Sequence, residues 1–316
     1  MAEIGKDINK AKQLLENGQL VAIPTETVYG LAANALDENA VLRIFQVKNR
    51  PQFDPLIIHI PSLAKADLYA ESIPGKAKAL AEAFWPGPLT LLLDRKSIVP
   101  DLVTAGLPTV GIRCPDHPLT HSLLESLDFP LAAPSANPFG YISPTTPHHV
   151  ARQLGDSIPY ILDGGPCTVG IESTIVGFHN GMGIVYRTGG LKIEDIERVI
   201  GKVGLQITTS ANPKSPGQLH SHYAPRKKLY VGNLDELTLR FQSQKVGILS
   251  FQKDRHAPYQ YILSPSGTPE EAARNFFSGL RILDELPVDI ILAEYAPDTG
   301  LGKAVNDRLR RASVKQ

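Results

Sequence analysis

Short runs of branched apolar residues, each bounded by proline or glycine, recur through the first two hundred residues of the chain. Four of them are "LVAI" (20–23), "LIIHI" (56–60), "LTLLL" (89–93) and "TVGIRC" (109–114). Runs of this length and composition predict buried β-strands, and apolar residues at helical spacing lie between them. Three further runs lie close together between residues 159 and 189. The alternation predicts an α/β fold whose sheet is partly antiparallel.

The segment 206–228, "QITTSANPKSPGQLHSHYAPRKK", interrupts this alternation. It is rich in Pro, Ser, Asn and Gly and has almost no apolar period, which is typical of a linker or a long functional loop. Strand and helix patterns then alternate again, which predicts a small, mostly parallel α/β domain. A chain of 316 residues is also long for one core. We therefore predict a domain over 1–205, a linker over 206–228 and a second domain over 229–316.

The balance of charge limits the possible partners. The chain has 32 basic and 32 acidic residues, which gives no general attraction to nucleic acid or anionic membranes, although a local basic cleft stays possible. No apolar stretch reaches about 18 residues and no signal region begins the sequence. Cys114 and Cys167 have no CxxC partner and are expected to be free thiols. We expect a soluble, cytoplasmic protein.

Three short segments with cationic or ionisable residues allow two interpretations each. Lys48 and Arg50, in "VKNRP", follow a helical pattern, so they either complement the helix dipole or reach an anion. His59, inside "PLIIHI", is either a core residue or a ligand contact at a strand end. Arg113 ends a strand and needs an anionic partner, which is either a substrate carboxylate or a structural acid.

Two loops have the composition of ligand-binding segments. "AAPSANPFGYISPTTP" (132–147) combines prolines with Ser135, Asn137 and Ser143, and "DGGPCTVGIESTIV" (163–176) combines glycines with hydroxyls. Turn chemistry explains any one of these residues, but their density between predicted elements favours ligand loops.

Several common site motifs are missing from the sequence. Neither a G-x-x-x-x-G-K-[ST] phosphate loop nor a GxGxxG or G-x-S-x-G motif occurs. The pairs "HSH" (220–222) and "HH" (148–149) have no acid or cysteine at ligand spacing, so no protein-bound metal is expected.

A series of motifs in fixed order resembles the YrdC/Sua5 family. The motifs are "PTETVYGL", "KNRPQFDPL", "FWPGPLT", "VGIRCPDHP", "APSAN", and "STIV" followed by "RTG". They cover about residues 10–200, and "SPGQLHSHYAPRKK" with the α/β tail resembles the longer Sua5 branch. The resemblance implies a large twisted-sheet YrdC-like domain, a linker and a small Rossmann-like C-terminal domain.

The resemblance also implies an activity. Members of the family are threonylcarbamoyl-AMP synthases, nucleotidyltransferases that join L-threonine, bicarbonate or CO₂ and ATP. The products are threonylcarbamoyl-adenylate and pyrophosphate, Mg²⁺ is expected with the ATP, and no covalent enzyme intermediate is expected. Other proteins then transfer the threonylcarbamoyl group to adenosine 37 of tRNAs that read ANN codons, and weak direct tRNA contact is possible.

Carried over motif by motif, the resemblance implies two substrate sites. The residues expected at L-threonine are Thr27, His59, Arg113, the backbone at Ala133, and Ser173. Those expected at ATP are Arg50, Asp54, Thr109, Ser135, Asn137, Ser143, Arg187 and His222. Lys48 and Arg50 are expected to offset the charge of the reaction, and His222 with Tyr223 to fold over the nucleotide as a lid.

One position departs from the family pattern. Position 54 is often Asn or His in the family, and here it is Asp54. A carboxylate beside a triphosphate is unfavourable unless it binds Mg²⁺ or pairs with a cation, so Asp54 either contacts ATP or holds Arg50. Within "PTETVYG" we also expect Glu26 to orient Lys48 or Arg50, Tyr29 to pack beside the amino acid, and Gly30 to let the chain turn away.

Two other functions are compatible with the sequence. One is a double-stranded-RNA or tRNA-binding protein without nucleotidyltransferase activity, which would use a concave surface for shape recognition. The other is a carbamoyl-adenylate enzyme with a different acceptor. Dependence of pyrophosphate release on L-threonine distinguishes the two enzymes.

Overall fold

The structure, a computed structural model, describes residues 1–207 and 222–314. Within those ranges, eleven strands form the first sheet. They are β1 (Glu3–Gly5), β2 (Val21–Ile23), β3 (Gly30–Asn34), β4 (Ile57–His59), β5 (Leu89–Asp94), β6 (Thr109–Arg113), β7 (Leu131–Ala132), β8 (Tyr160–Leu162), β9 (Thr174–His179), β10 (Met182–Arg187) and β11 (Gly204–Leu205). Their spatial order is β1-β8-β2-β3-β7-β4-β6-β5-β9-β10-β11.

The first sheet mixes parallel and antiparallel pairs, as the sequence predicts. β4 and β6 are parallel, with His59 opposite Arg113, whereas β5 and β6 are antiparallel. β9 and β10 form an antiparallel hairpin that turns at Asn180 and Gly181, which both have positive φ. Asn and Gly are the residues that adopt this backbone region most readily, so the local sequence determines the turn.

Ten α-helices and one 3₁₀-helix (Leu63–Leu68) accompany the strands in the described ranges. The α-helices are α1 (Ile8–Glu16), α2 (Glu38–Lys48), α3 (Gly75–Phe84), α4 (Asp101–Thr104), α5 (Pro118–Glu125), α6 (Pro147–Leu154), α7 (Ile193–Ile200), α8 (Leu234–Arg240), α9 (Pro269–Glu285) and α10 (Gly302–Ser313). Asp7 and Asp37 cap α1 and α2: the Asp7 side chain accepts the backbone N–H of Lys10, and the Asp37 side chain accepts those of Asn39 and Ala40.

A second sheet follows the segment 206–228. It contains β12 (Lys228–Val231), β13 (Val246–Ser250), β14 (Gln260–Ile262) and β15 (Ile290–Ala293), in the order β12-β15-β13-β14. All three strand pairs are parallel, which confirms the predicted α/β pattern. β14 is a strand that the sequence pattern did not indicate, because its three residues are only partly buried.

The prediction for Gly30 was wrong. Gly30 begins β3, where it pairs with Ile23 of β2, so the polar segment 24–29 is the connection between two paired strands. A Cβ at Gly30 would lie 3.1 Å from the Cβ of Ala133. The glycine is therefore needed for close approach of the neighbouring chain and not for a turn.

The two parts of the chain share one apolar cluster. Val28, Ile142 and Ile171, which precede or follow strands of the first sheet, pack in the same cluster as Phe276 and Phe277 of α9. A separate and larger cluster lies between the first sheet and its own helices. No helix in the described ranges has the length and hydrophobicity that a bilayer-spanning segment requires.

Candidate active site

A narrow cavity lies on one face of the first sheet and is covered by the beginning of the second part of the chain. Ile57 and His59, two residues apart on β4, both line it, which places it on a single face of that strand. The other lining residues are Val28, Arg50, Leu56, Arg113, Ala133, Pro134, Ser135, Glu172, Ser173, Arg187, His222 and Tyr223. The structure thus brings eight of the residues predicted at the two substrate sites to one cavity.

Of the two partners that the sequence left open for Arg113, the structure contains the structural acid, which is Glu26. Its Nη2 lies 2.7 Å from Oε1 of Glu26, and both side chains are buried. The prediction that Glu26 orients Lys48 or Arg50 was therefore wrong: Glu26 balances Arg113, and its Oε2 accepts the backbone N–H of Asp116 at 3.2 Å. The Nε of Arg113 has no hydrogen-bond partner in the described parts of the chain, so a donor remains available beside the cavity.

His59 lies next to Arg113 on the neighbouring strand. It is almost completely buried, and its Nδ1 makes no hydrogen bond to the described residues. Burial, together with the positive charge of Arg113, lowers the pKa of His59 to about 3. The ring is therefore neutral at physiological pH, which suits hydrogen bonding to a ligand and adds no charge.

Arg50 and Asp54 form a buried ion pair. Nη2 of Arg50 lies 2.9 Å from Oδ2 of Asp54, with side-chain exposures of 4% and 0%. Nη2 also donates to the carbonyl of Pro55 at 2.8 Å, and Nε to the carbonyl of Asp54 at 3.1 Å. Burial raises the pKa of Asp54, and the positive charge of Arg50 opposes that rise. Asp54 thus holds Arg50 in place, while Arg50 itself lines the cavity.

Lys48 lies beneath the loop that contains Ser135 and Asn137. Its Nζ donates to the carbonyls of both residues at 2.5 Å, and the side chain is buried. Burial, and then the charge of Arg50, lower its pKa well below the usual value. Lys48 therefore fixes the loop, and Ser135, which lines the cavity, is positioned by it.

Ser173 and Arg187 face the cavity from the hairpin side. The Ser173 hydroxyl lies 2.7 Å from that of Thr90 and accepts a hydrogen bond from Nη2 of Arg187 at 3.0 Å. Nε of Arg187 donates to the Ser173 carbonyl at 3.0 Å. Burial lowers the pKa of Arg187. These contacts bring a cation and a hydroxyl to one edge of the cavity.

The linker predicted as a lid, 206–228, falls partly outside the described residues, which do not include 208–221. His222 and Tyr223 line the cavity and are buried. Their rings meet edge to face at 4.1 Å, and Phe139 contacts His222 in the same way at 5.6 Å. Tyr223 has φ 66°, a left-handed conformation that is unusual for a tyrosine. Its burial and the contacts of the two rings hold it there.

Some predicted residues do not reach the cavity. Thr109 begins β6, about 13 Å along the strand from Arg113, and lines a different cavity with Asp94 and Tyr186. Tyr29 is buried and donates to the carbonyl of Gly165 at 2.7 Å, so it does not pack beside the cavity as expected.

Three further predicted residues lie just behind the cavity wall. Thr27 is buried, with its hydroxyl 2.8 Å from that of Thr25. Asn137 is buried and its amide nitrogen donates to the carbonyls of Pro138 and Tyr141. Ser143 is buried and donates to Oε1 of Glu172 at 2.6 Å. Direct substrate contact by these three stays a prediction.

Two charged residues of the site, Glu172 and Arg308, were not found from the sequence. Glu172 lines the cavity, and Arg308 of α10, which is fully buried, donates to it through Nε at 3.1 Å. Glu172 directly precedes the predicted Ser173, so its position in "GIESTIV" offered a signal. Arg308 lies in a basic helix 136 residues further along the chain, where the local pattern indicates only a solvated surface.

The residues that line the cavity indicate the class of protein. A narrow cavity lined by three arginines and several hydroxyls suits a small anionic ligand. No group of three or more His, Cys, Asp or Glu in the described ranges could hold a metal ion. A larger cavity of about 710 Å³ between α7 and α10 has charges of both signs and contains none of the predicted residues. The class is therefore an α/β protein with a buried, arginine-lined cavity between its two parts.

The comparisons with known proteins identify the family. Residues 13–189 match the sequence model of the Sua5_yciO_yrdC family, described as "Telomere recombination". Residues 191–314 match a second model, "Threonylcarbamoyl-AMP synthase, C-terminal domain". The chain belongs to the Sua5/YciO/YrdC family and has the two-part architecture of its Sua5 members.

Individual members of this family are similar to the protein over nearly its whole length. A threonylcarbamoyl-AMP synthase of Pyrococcus abyssi is 43% identical over 97% of this chain and 94% of its own. That of Bacillus subtilis is 40% identical over 97% and 92%. The crystal structure of P. abyssi Sua5 complexed with L-threonine superposes with a TM-score of 0.93 at 41% identity, and covers 99% of this chain and 97% of its own.

Proposed function

We propose that this chain is a threonylcarbamoyl-AMP synthase, which makes threonylcarbamoyl-adenylate and pyrophosphate from L-threonine, bicarbonate or CO₂ and ATP. One observation supports this proposal above the others. Arg50, Arg113 and Arg187 converge, buried, on one cavity, in a fold that matches a protein solved with L-threonine. Asp54 and Glu26 balance two of these cations. The substrates supply further anions, a carboxylate and a triphosphate, with which buried arginines form strong charge-assisted hydrogen bonds.

The threonine side of the cavity is the region of Arg113, His59 and Ser173. The unpartnered Nε of Arg113 can donate to the amino-acid carboxylate, while Glu26 keeps the guanidinium in place. A neutral His59 and the Ser173 hydroxyl offer hydrogen bonds to the hydroxyl or amine of threonine. Selection of an amino acid with a hydroxyl then follows, because a buried polar group left unpaired by another substrate lowers affinity.

The ATP side is the region of Arg50, Arg187 and Ser135. Two unit charges 4 Å apart attract by about 4 kcal/mol at an effective dielectric constant of 20, so fixed arginines beside the phosphates offset much of their charge. ATP enters as its magnesium complex. Asp54 and Glu172 are both held by arginines, so the metal would be bound by phosphates and water and not by these carboxylates.

The reaction needs little covalent participation by the protein. The neutral threonine amine adds to CO₂ and releases a proton, or condenses with bicarbonate and releases water. Either route gives a carbamate. A carbamate oxygen then bonds to the α-phosphorus while the bond to pyrophosphate breaks. Positioning of three reactants and fixed cations supply the rate enhancement. In this proposal Arg50 acts directly on the phosphates, and Lys48 acts through its charge and through the loop that it holds.

His222 and Tyr223 act as a lid in this proposal. With both rings in place the cavity has a volume of only about 50 Å³, whereas sites for ligands of nucleotide size measure about 300–1,000 Å³. ATP therefore requires these two side chains to move outward, and their return excludes water from the reacting groups.

The wider role is also part of the proposal. Other proteins would use the product to modify adenosine 37 of ANN-decoding tRNAs. We place the protein in the cytoplasm, and the two buried, free cysteines agree with a reducing compartment.

Pyrophosphate release, measured with and without L-threonine and bicarbonate, tests the function. The proposal requires release only when both are present with ATP, and no radioactive threonine or AMP covalently attached to the protein. Release that is equal with another amino acid would indicate a different acceptor. A salt-dependent gel shift on tRNA without any turnover would favour the RNA-binding alternative, which the burial of the cations disfavours.

A further inference from the structure

A buried arginine of the second part of the chain, Arg308, contacts a residue that lines the cavity. Nε of Arg308 donates to Oε2 of Glu172 at 3.1 Å, and Nη1 donates to the carbonyl of Thr188 at 2.8 Å. The other carboxylate oxygen of Glu172 accepts the hydroxyl of Ser143 at 2.6 Å. Arg308 also lies over the ring of Tyr223, at 5.1 Å from its centre. A continuous chain of contacts thus joins α10 to the cavity wall.

Helix α9 also contacts the two segments that contain Ser143 and Glu172. Arg281 of that helix donates to the carbonyls of Ile142 and Ser143. Gly170, two residues before Glu172, approaches the helix so closely that a Cβ there would lie 2.4 Å from the carbonyl oxygen of Arg274. Both segments that carry the Glu172–Ser143 contact are therefore fixed by helices of the second part.

The chemistry of Glu172 limits what it can recognise. Among the described lining residues it is the acid of the cavity, and a carboxylate accepts hydrogen bonds but donates none. The triphosphate would be repelled by it. The threonine amine must lose its proton to react, and a carboxylate partner would favour the protonated form. The threonine hydroxyl is also a donor, but His59 and Ser173 are the groups assigned to it. The remaining donors in the substrates are the ribose hydroxyls and the adenine amino group, so the nucleoside part of ATP fits best.

We propose that Glu172 recognises the nucleoside part of ATP by accepting its hydrogen bonds, and that Arg308 is the positioning residue that holds the carboxylate for this task. The inference rests on the proposed function, since it assigns residues to ATP. It makes the second part of the chain a component of the nucleotide site, although none of its helices needs to touch the nucleotide.

The test compares Glu172→Gln and Arg308→Met with the wild type in the pyrophosphate assay, with ATP, 2′-deoxy-ATP and 3′-deoxy-ATP. A hydrogen bond to a charged group corresponds to roughly a 10- to 100-fold effect. We expect Glu172→Gln to raise KM for ATP by about that factor and to leave KM for threonine within about 2-fold. A reduced discrimination against a deoxynucleotide then assigns the contact to that ribose hydroxyl, and an unchanged discrimination assigns it to the adenine amino group. Arg308→Met should show the same pattern.

An exposed arginine–glutamate pair offers a matched control. Arg152 of α6 and Glu285 of α9 also join the two parts of the chain, at 2.6 Å, but at the surface and away from the cavity. Arg152→Met and Glu285→Gln should leave both KM values and the discrimination between nucleotides unchanged, because exposed pairs contribute little.

Each outcome decides a part of the proposal. Unchanged KM for ATP and unchanged discrimination in Glu172→Gln would overturn the role of Glu172. A changed Glu172→Gln with a wild-type Arg308→Met would overturn that of Arg308. If Arg308→Met does not fold, Arg308→Lys is used in its place, because one ammonium group cannot make both the contact to Glu172 and the contact to the Thr188 carbonyl. Arg308→Lys must then show the same changes in KM as Glu172→Gln. Calorimetric measurement of equilibrium ATP binding to Glu172→Gln makes the test independent of turnover. If the wild type does not release pyrophosphate in a threonine-dependent way, only the proposed function is refuted.

Discussion

Replacement of Asp54 by asparagine tests how the site holds its cations. The substitution keeps the shape of the side chain but removes the charge that faces Arg50 at 2.9 Å in a fully buried position. Arg50 keeps its two carbonyl contacts, at Asp54 and Pro55. One charge-assisted contact out of three is thus weakened, and a buried cation loses its counter-charge, which typically costs about 3 kcal/mol.

This magnitude leads to two measurable effects. For a chain of 316 residues the entropy of unfolding is roughly 0.7 kcal/mol per kelvin, so a loss of about 3 kcal/mol lowers Tm by about 4–5 °C. Because Arg50 lines the cavity, its greater freedom should also raise KM for ATP by about 10-fold or more, with KM for threonine nearly unchanged.

Calorimetry and the pyrophosphate assay measure the two effects, and a surface pair serves as the control. Asp101, which is 76% exposed in its pair with Arg95, changed to asparagine should alter neither value. The reasoning is refuted if Asp54→Asn keeps the wild-type Tm and KM for ATP, or lowers that KM, because the carboxylate would then be tolerated and not used to hold Arg50.

Other residues of the site give further predictions. Arg113→Lys keeps the charge opposite Glu26 but loses the fork, so KM for threonine should rise about 10-fold while KM for ATP stays the same; an equal rise in both would contradict the assignment. Thr27→Ala should weaken threonine more than ATP in the same assay, and equal losses would remove Thr27 from the threonine site. His59 is neutral in the folded protein, with a pKa of about 3, and has its ordinary value near 6.5 when unfolded. The neutral form of His59 contributes fully to the free energy of unfolding above pH 6.5. As the pH is lowered from 6.5 to 3, that contribution decreases by about 1.4 kcal/mol per pH unit. Urea denaturation should therefore show that the free energy of unfolding decreases less between pH 7 and pH 5 in His59→Asn than in the wild type. Equal decreases in the two proteins would refute the role of His59.

Local patterns were sufficient for much of the fold. The runs at 56–60 and 89–93 became β4 and β5 within one residue of the predicted bounds, because branched apolar residues between Pro or Gly leave few alternatives. Gly30 was misread, since a glycine needed for close approach to Ala133 looks the same in the sequence as a glycine in a turn. β14 was missed because an edge strand with partly buried residues carries little apolar signal.

The site was predictable where its residues come from ordered motifs and not where distant residues meet. His59, Arg113, Ser135 and Ser173 lie together at one cavity as expected. The pairing of Glu26 with Arg113 and the contact of Arg308 with Glu172 depend on how strands and helices are arranged in space. No periodicity within a single segment contains that information.

The shared apolar cluster has a consequence for how such chains can be divided. Val28, Ile142 and Ile171 are buried against helices of the second part, Ile142 and Ile171 completely. A chain shortened to the first sheet would expose this patch and leave Glu172 without Arg308, so it would tend to aggregate. Removal of the second part would therefore require compensating polar substitutions at these positions. Although the segment 206–228 separates the two parts in the sequence, the first part alone is not a self-sufficient folding unit.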